Sequence, residues 1–382
     1  MMIPDFPPIR VLPEGAPERE NIRAFLDEQL DPFSPAERAR SWSACDARFS
    51  EELGKQGLIG LTWPEKFGGK AASHLVRYRI VEELLAAGAP VAAHWFADRQ
   101  SGTMLLRYAS ERQKARLLPR MAAGELYFCI GMSEPDSGSD LAALRTEARR
   151  DGEDWRVTGS KIWTSHAQHA HYMIALVRTG SDESDRRTGL SQLIIDLSSP
   201  GVTIRPIEDQ TGDAHFCEIF LDDVLVPADM LLGEPGNGWA QVNAELALER
   251  SGPERFLSSH VLIEEALKAL SENPSETLTA LVGHWTAELW TLRQMSLAVA
   301  GTLERGGDPM VEASIVKDLG AQFEQSVPRD LQAAWDQADI ADESGELDET
   351  LTYLVGASPS FSLRGGTREI LRGIIARGLG LR

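Results

Sequence analysis

Apolar residues recur at helical spacing toward both ends of this chain and at strand spacing in its middle. Ile22, Phe25, Leu26 and Leu30 predict a helix beginning near Pro17. Ser34-Pro35-Ala36-Glu37 reads as an N-cap followed by proline at the first helical position. Arg77–Ala87 is helical again. Ser110-Glu111-Arg112-Gln113 forms a capping box that launches a helix through Leu117, Leu118 and Met121. Residues 1–125 are therefore expected to form an N-terminal α-helical domain.

From Tyr127 the period shifts from helical toward alternating. Tyr172–Val177, Leu193–Ile195, Val202–Ile204 and Cys217–Leu221 predict strands. Trp155–Trp163 reads as a hairpin turning at Thr158-Gly159-Ser160. Residues 126–234 are expected to form a β-sandwich or barrel-like domain. Helical patterns return over Gln241–Arg250, Phe256–Leu270, Ser275–Leu303, Pro309–Trp335 and Thr367–Arg377, giving a C-terminal helical domain over 235–382. The fold class is α+β in the order helical, β, helical.

Composition narrows the function. A chain of 382 residues is long enough for two or three domains. Its formal net charge of −20 argues against nucleic acid or an anionic membrane as partner. No apolar run approaches the ~20 residues of a membrane span, and Met1–Pro13 lacks a signal pattern, so a cytoplasmic location is expected. Cys45, Cys129 and Cys217 lie far apart in sequence, which fits a reducing compartment and suggests neither a disulfide framework nor a metal site. No carboxylate or thiol cluster is expected to join His166, His169 and His171, and no metal is expected there.

The candidate chemistry lies in residues 128–166. A loop, Glu134-Pro135-Asp136-Ser137-Gly138-Ser139-Asp140, offers backbone N–H groups and hydroxyls, and Trp163 brings a flat aromatic face beside Thr164 and Ser165. That combination suits a planar, heteroatom-rich ligand.

Two segments then carry a resemblance. Ser133-Glu134-Pro135-Asp136-Ser137-Gly138-Ser139-Asp140 and Gly159-Ser160-Lys161-Ile162-Trp163-Thr164-Ser165-His166 resemble the paired signatures of the acyl-CoA dehydrogenase family. Gly57–Gly69 and Gly365-Gly366-Thr367-Arg368-Glu369-Ile370 extend the likeness toward both ends. It implies a helical, β, helical fold with a four-helix-bundle-like C-terminal domain, FAD as cofactor, and oxidation of an acyl-CoA thioester to the trans-2-enoyl-CoA. It also implies no metal, electron-transfer flavoprotein as acceptor and a place in β-oxidation of a fatty acid or sterol side chain. Carried over residue by residue, Ile130, Met132 and Ser133 line the flavin ring, Trp163 packs on it, and Thr164 and Ser165 bond near its reactive nitrogen. Ser139 meets phosphate or pantetheine, and Gly366 with Thr367 approaches the flavin from the C-terminal side.

In many members the base that removes the α-proton is a glutamate directly before the C-terminal Gly-Thr. Here Gly365 holds that place and cannot act. A minority of members carry the base on an internal helix before an arginine, and Glu249-Arg250 matches that pattern. The resemblance thus assigns Glu249 as base, with Arg250 positioning or polarising the site and Gly365 leaving room for the carboxylate and substrate. Glu369 is the weaker candidate.

Family members also hold the ADP half of a neighbour's FAD with Arg-x-x-Phe-Gly and Gln-x-x-Gly-Gly segments. No equivalent of the first occurs between Leu262 and His284, and the second place reads Ala333-Ala334-Trp335-Asp336-Gln337, followed by an acidic stretch. The pattern resembles a subunit of heteromeric α2β2 members paired with a paralogous chain, the alternative being a homotetramer. Other open readings are an acyl-CoA oxidase-like flavoenzyme and a non-catalytic scaffold subunit of a heteromeric dehydrogenase.

Overall fold

A computed structural model describes residues 4–9, 17–180, 185–248, 252–337, 340, 342 and 344–381. The chain divides into two compact units, one of residues 45–72 and 91–248, the other of residues 1–44, 73–90 and 249–382.

The first unit is built on an eight-stranded sheet. Its strands are β1 (Phe128–Gly131), β2 (Glu147–Asp151), β3 (Asp154–Ser165), β4 (Tyr172–Arg178), β5 (Leu190–Asp196), β6 (Val202–Ile207), β7 (Phe216–Val226) and β8 (Leu231–Leu232). They pair in the order β6-β7-β3-β2-β4-β5-β8, with β1 alongside β4. The β1–β4 and β2–β4 pairings are parallel, and the others antiparallel. In β4 and β5 the interior residues are buried without alternation, the mark of strands covered on both faces. One cover is the cluster of Trp63, Leu105, Leu117, Leu118 and Met121, from the helices Gly102–Tyr108 and Glu111–Ala122 and the loop before them. On another side Leu144, Leu176, Leu190 and Val242 pack together, bringing in the helix Gly238–Leu248.

The predicted hairpin at Thr158-Gly159-Ser160 is not there. β3 runs unbroken through it, and the turn lies between β2 and β3, where Asp151 pairs with Asp154. Gly159 serves close approach instead: a Cβ there would lie 2.6 Å from Thr146 Oγ1 and 2.7 Å from Thr146 Cα.

The second unit is helical, with Pro17–Leu30, His74–Ala86, His260–Glu272, Glu276–Glu304, Met310–Ala334, Glu346–Ala357 and Arg368–Gly378. Charge ties it inside: Arg293 grips Glu82 through Nε at 2.6 Å and Nη2 at 2.9 Å, and Arg79 reaches the same carboxylate at 2.9 Å. The helix Glu346–Ala357 was hidden in the acidic stretch. Glu346, Asp348 and Glu349 occupy its first turn, and Asp342 accepts from the Asp348 N–H at 2.8 Å, so these carboxylates answer the exposed N–H groups of a helix start.

Candidate functional site

Ser133 and Lys161 show how the two signature segments meet. The Ile162 N–H donates to the Ser133 carbonyl at 2.9 Å. Lys161 Nζ donates to Glu134 Oε1 at 2.8 Å and to the Met132 carbonyl at 3.2 Å. Glu134 also accepts the backbone N–H groups of Arg145 at 2.6 Å and Thr146 at 2.9 Å. Burial pushes the Lys161 ammonium down to about 8, with Glu134 acting the other way. Burial alone would raise the Glu134 carboxyl, but the charge and hydrogen bonds around it leave it below its ordinary range. Both groups are therefore ionised at neutral pH. Sequence reading gave this pair no role, although an acid and a lysine fixed in two adjoining motifs were a usable signal.

The pair stiffens the strand that carries the aromatic face. Against β7 the register of β3 passes from Lys161–Ile219 to Thr164–Cys217, so Ile162 and Trp163 oppose Glu218 alone. That is a β-bulge, and it turns Trp163 to φ 59°. The indole is 57% exposed and sets its plane nearly perpendicular to Phe216, at 6.0 Å. Thr164 next to it is buried, and its hydroxyl has no hydrogen-bond partner among the described residues. Ser165 is half-buried, and His166 follows at φ 55°, a conformation histidine tolerates better than most. Strained backbone, an aromatic plate in solvent and an orphaned buried hydroxyl mark a ligand platform.

The remaining expected residues fall nearby or elsewhere. Ile130 is half-buried on β1 against the main core, and Met132 packs on the Leu144–Leu176 cluster while its carbonyl holds Lys161. Ser139 is exposed on the loop, whereas Ser137 is buried and bonds to the Asp140 carbonyl at 2.7 Å. In the helical unit Gly365 and Gly366 take φ of 66° and 98°, and Thr367 stands at the start of Arg368–Gly378. Just before them, Arg364 lies 4.2 Å over both the Trp42 and Phe361 rings and bonds to Ser258 at 3.2 Å and Glu324 at 3.4 Å. Burial lowers its guanidinium to about 10. Glu369 is exposed, with its carboxyl held low by its own backbone N–H and the Thr367 hydroxyl. Glu249 and Arg250 lie outside the described residues; the helix Gly238–Leu248 that leads to them is anchored by Gln241, whose amide donates to the Leu232 carbonyl at 2.7 Å.

The histidines need a correction. A thiol does join two of them: Cys45, far upstream in sequence, comes together with His166 and His169. Burial and then Asp46 push its thiol up to about 11. His171 stands apart, accepting the Tyr127 N–H at 3.1 Å.

The exposed indole beside the Thr164 hydroxyl, unpartnered among the described residues, makes a platform for a flat, heteroatom-rich ligand. The chain belongs to the acyl-CoA dehydrogenase family: residues 17–125 match its N-terminal domain and residues 129–224 its middle domain. It is an oxidoreductase of that family, whose members are FAD flavoproteins. It is 34% identical to the acyl-CoA dehydrogenase IpdE1 of Mycobacterium tuberculosis, over 90% of this chain and 88% of that one. The IpdE1 of Mycolicibacterium smegmatis is 32% identical over 100% of this chain and 94% of its own length. Among solved structures, the Tcur3481-Tcur3483 steroid ACAD is similar with a TM-score of 0.85 at 27% identity, covering 95% of this chain and 96% of that one. The ChsE4-ChsE5 complex from Mycobacterium tuberculosis is similar with a TM-score of 0.81 at 28% identity, covering 98% of this chain and 100% of that one. Among the described residues no helix is long and apolar enough to cross a membrane.

Proposed function

We propose that this chain is the catalytic subunit of a heteromeric acyl-CoA dehydrogenase, with Glu249 as the base that takes the α-proton of the thioester. The observation that carries the catalytic reading is the Ile162–Trp163 bulge, which sets an aromatic plate beside the buried Thr164 hydroxyl, without a partner among the described residues. FAD bound there supplies the hydride acceptor. Trp163 packs on the ring, Thr164 and Ser165 bond near its reactive nitrogen, Ser133 bonds its polar edge, and Ile130 and Met132 line it with Ser133. The family resemblance also assigns Gly366 and Thr367 to the flavin, and Ser139 and Arg250 to the CoA thioester.

The left-handed backbone at Gly365 supports placing the base elsewhere. A glutamate at φ 66° would be strained, whereas glycine takes that conformation readily. Glu249, directly before Arg250 in sequence, is the carboxylate the family pattern offers in its stead. Glu249→Gln is the test. It should retain flavin while enoyl-CoA formation falls by about 10²–10⁴-fold, the contribution of a positioned base. Normal turnover in that variant would discard the assignment, and loss of both flavin and fold would call for Glu249→Asp in its place.

A paralogous partner chain in an α2β2 assembly is supported by the absent ADP-holding segments and by the likeness to the ChsE4-ChsE5 complex. The steroid ACAD likeness favours a bulky, ring-bearing acyl group, and electron-transfer flavoprotein is the acceptor the family reading brings. Flavin content of the chain purified alone decides between assemblies. Little flavin, restored to half occupancy by a co-expressed paralogue, supports the heteromer; one FAD per chain means a homotetramer. Rapid reoxidation of the reduced flavin by oxygen would mean an oxidase.

A further inference from the structure

The turn after the flavin-facing bulge carries His166 and His169, and a thiol from a distant segment closes on both. Cys45 Sγ and one ring nitrogen of each histidine all lie within 4.8 Å of one another. Their backbones are fixed. Cys45 is bridged to Val91, the His166 N–H donates to the His215 carbonyl at 2.7 Å, and the His169 N–H donates to the His166 carbonyl at 3.0 Å. His166 is buried, Cys45 half-buried and His169 exposed.

We propose that Cys45, His166 and His169 form a Zn²⁺-binding site that clamps the Cys45 segment to the turn behind Trp163. One thiolate with two imidazoles is a donor set that selects zinc over hard cations. Tetrahedral bonds of ~2.1 Å to nitrogen and ~2.3 Å to sulfur set ligand atoms roughly 3.3–3.7 Å apart. The observed spacing, within 4.8 Å, is wider by about 1.5 Å at most, and side-chain rotation at Cys45 and exposed His169 closes it. The thiol proton leaves to solvent as the sulfur–zinc bond forms, and water takes the fourth position. The ion does no redox chemistry; it holds the bulge in place.

The test uses the full-length, tag-free protein, cleared of metal by a chelator and titrated with Co²⁺ as a coloured substitute for zinc. One Co²⁺ per chain is expected, with thiolate-to-metal charge-transfer absorption, strong tetrahedral ligand-field bands, and displacement by Zn²⁺. Cys45→Ser should lose the charge-transfer band. His169→Asn should weaken binding by about tenfold or more. Because His169 is exposed, that variant separates ligand loss from misfolding, which circular dichroism checks. No charge-transfer band in the folded wild type, or binding unchanged in His169→Asn, overturns the proposal.

Discussion

Lys161 is fully buried and spends its charge on Glu134, 2.8 Å away, in the middle of the flavin-site signature. Removing one member leaves the other's charge buried and uncompensated, which costs about 3–5 kcal/mol. Glu134→Gln additionally weakens the acceptance of two backbone N–H groups, those of Arg145 and Thr146. Both Glu134→Gln and Lys161→Met should unfold at clearly lower denaturant concentration and lose flavin. The double variant should cost less than the sum of the two. Additive effects in that cycle would show that the two side chains act separately.

Gly159→Ala tests the close approach that replaced the expected turn. The added methyl would press on Thr146 backbone as well as its hydroxyl, so no rotamer relieves it. A loss of about 1–3 kcal/mol is expected, typical of overpacking. Thr146→Ala in the same chain, which removes the hydroxyl, should recover little, since Thr146 Cα and Cβ remain in the way. Full recovery would place the clash at the Thr146 hydroxyl alone.

Thr164→Val should move two measurements in opposite directions. In the flavin-free protein it removes a buried hydroxyl without a partner among the described residues, and stability should rise by about 1 kcal/mol. In the loaded protein it removes a bond to the cofactor, and flavin affinity should fall several-fold. A variant less stable without flavin would mean that the hydroxyl has a partner in the apoprotein.

Much of this was legible in the chain. The N-cap at Ser34, which the structure completes as a capping box with Glu37, and the capping box at Ser110–Gln113 formed because their bonds are local and their residues adjacent. The strands over 172–221 were found because β-branched runs between breaks carry their own signal, and the order of helical and β segments followed from it. Thr158-Gly159-Ser160 misled because turn chemistry and close packing both call for glycine, and only the position of Thr146 separates them. The helix Glu346–Ala357 was masked by its own acidic first turn. Cys45 could not be joined to His166 and His169 by inspection, since long-range contacts leave no spacing to read.

His94 gives the clearest pH dependence. It is buried, hydrogen-bonded through Nδ1 to the Ser50 hydroxyl at 2.8 Å, and burial lowers its pKa from the ordinary 6.5 to about 4, against the weaker pull of Asp98. The folded state therefore disfavours the protonated ring. Above pH 6.5 the imidazole is neutral whether the chain is folded or not, and it adds no slope. As pH falls from 6.5 to about 4, the unfolded chain takes up the proton first and stability declines, on the order of 3 kcal/mol in total. Below about 4 the folded ring protonates too, and this contribution levels off. Chemical unfolding followed across that window should show a shallower decline in His94→Gln than in the parent, with the two differing least in acid. Parallel curves would assign the acid sensitivity to other groups, with half-buried His260, also lowered to about 4 by desolvation, the next to replace.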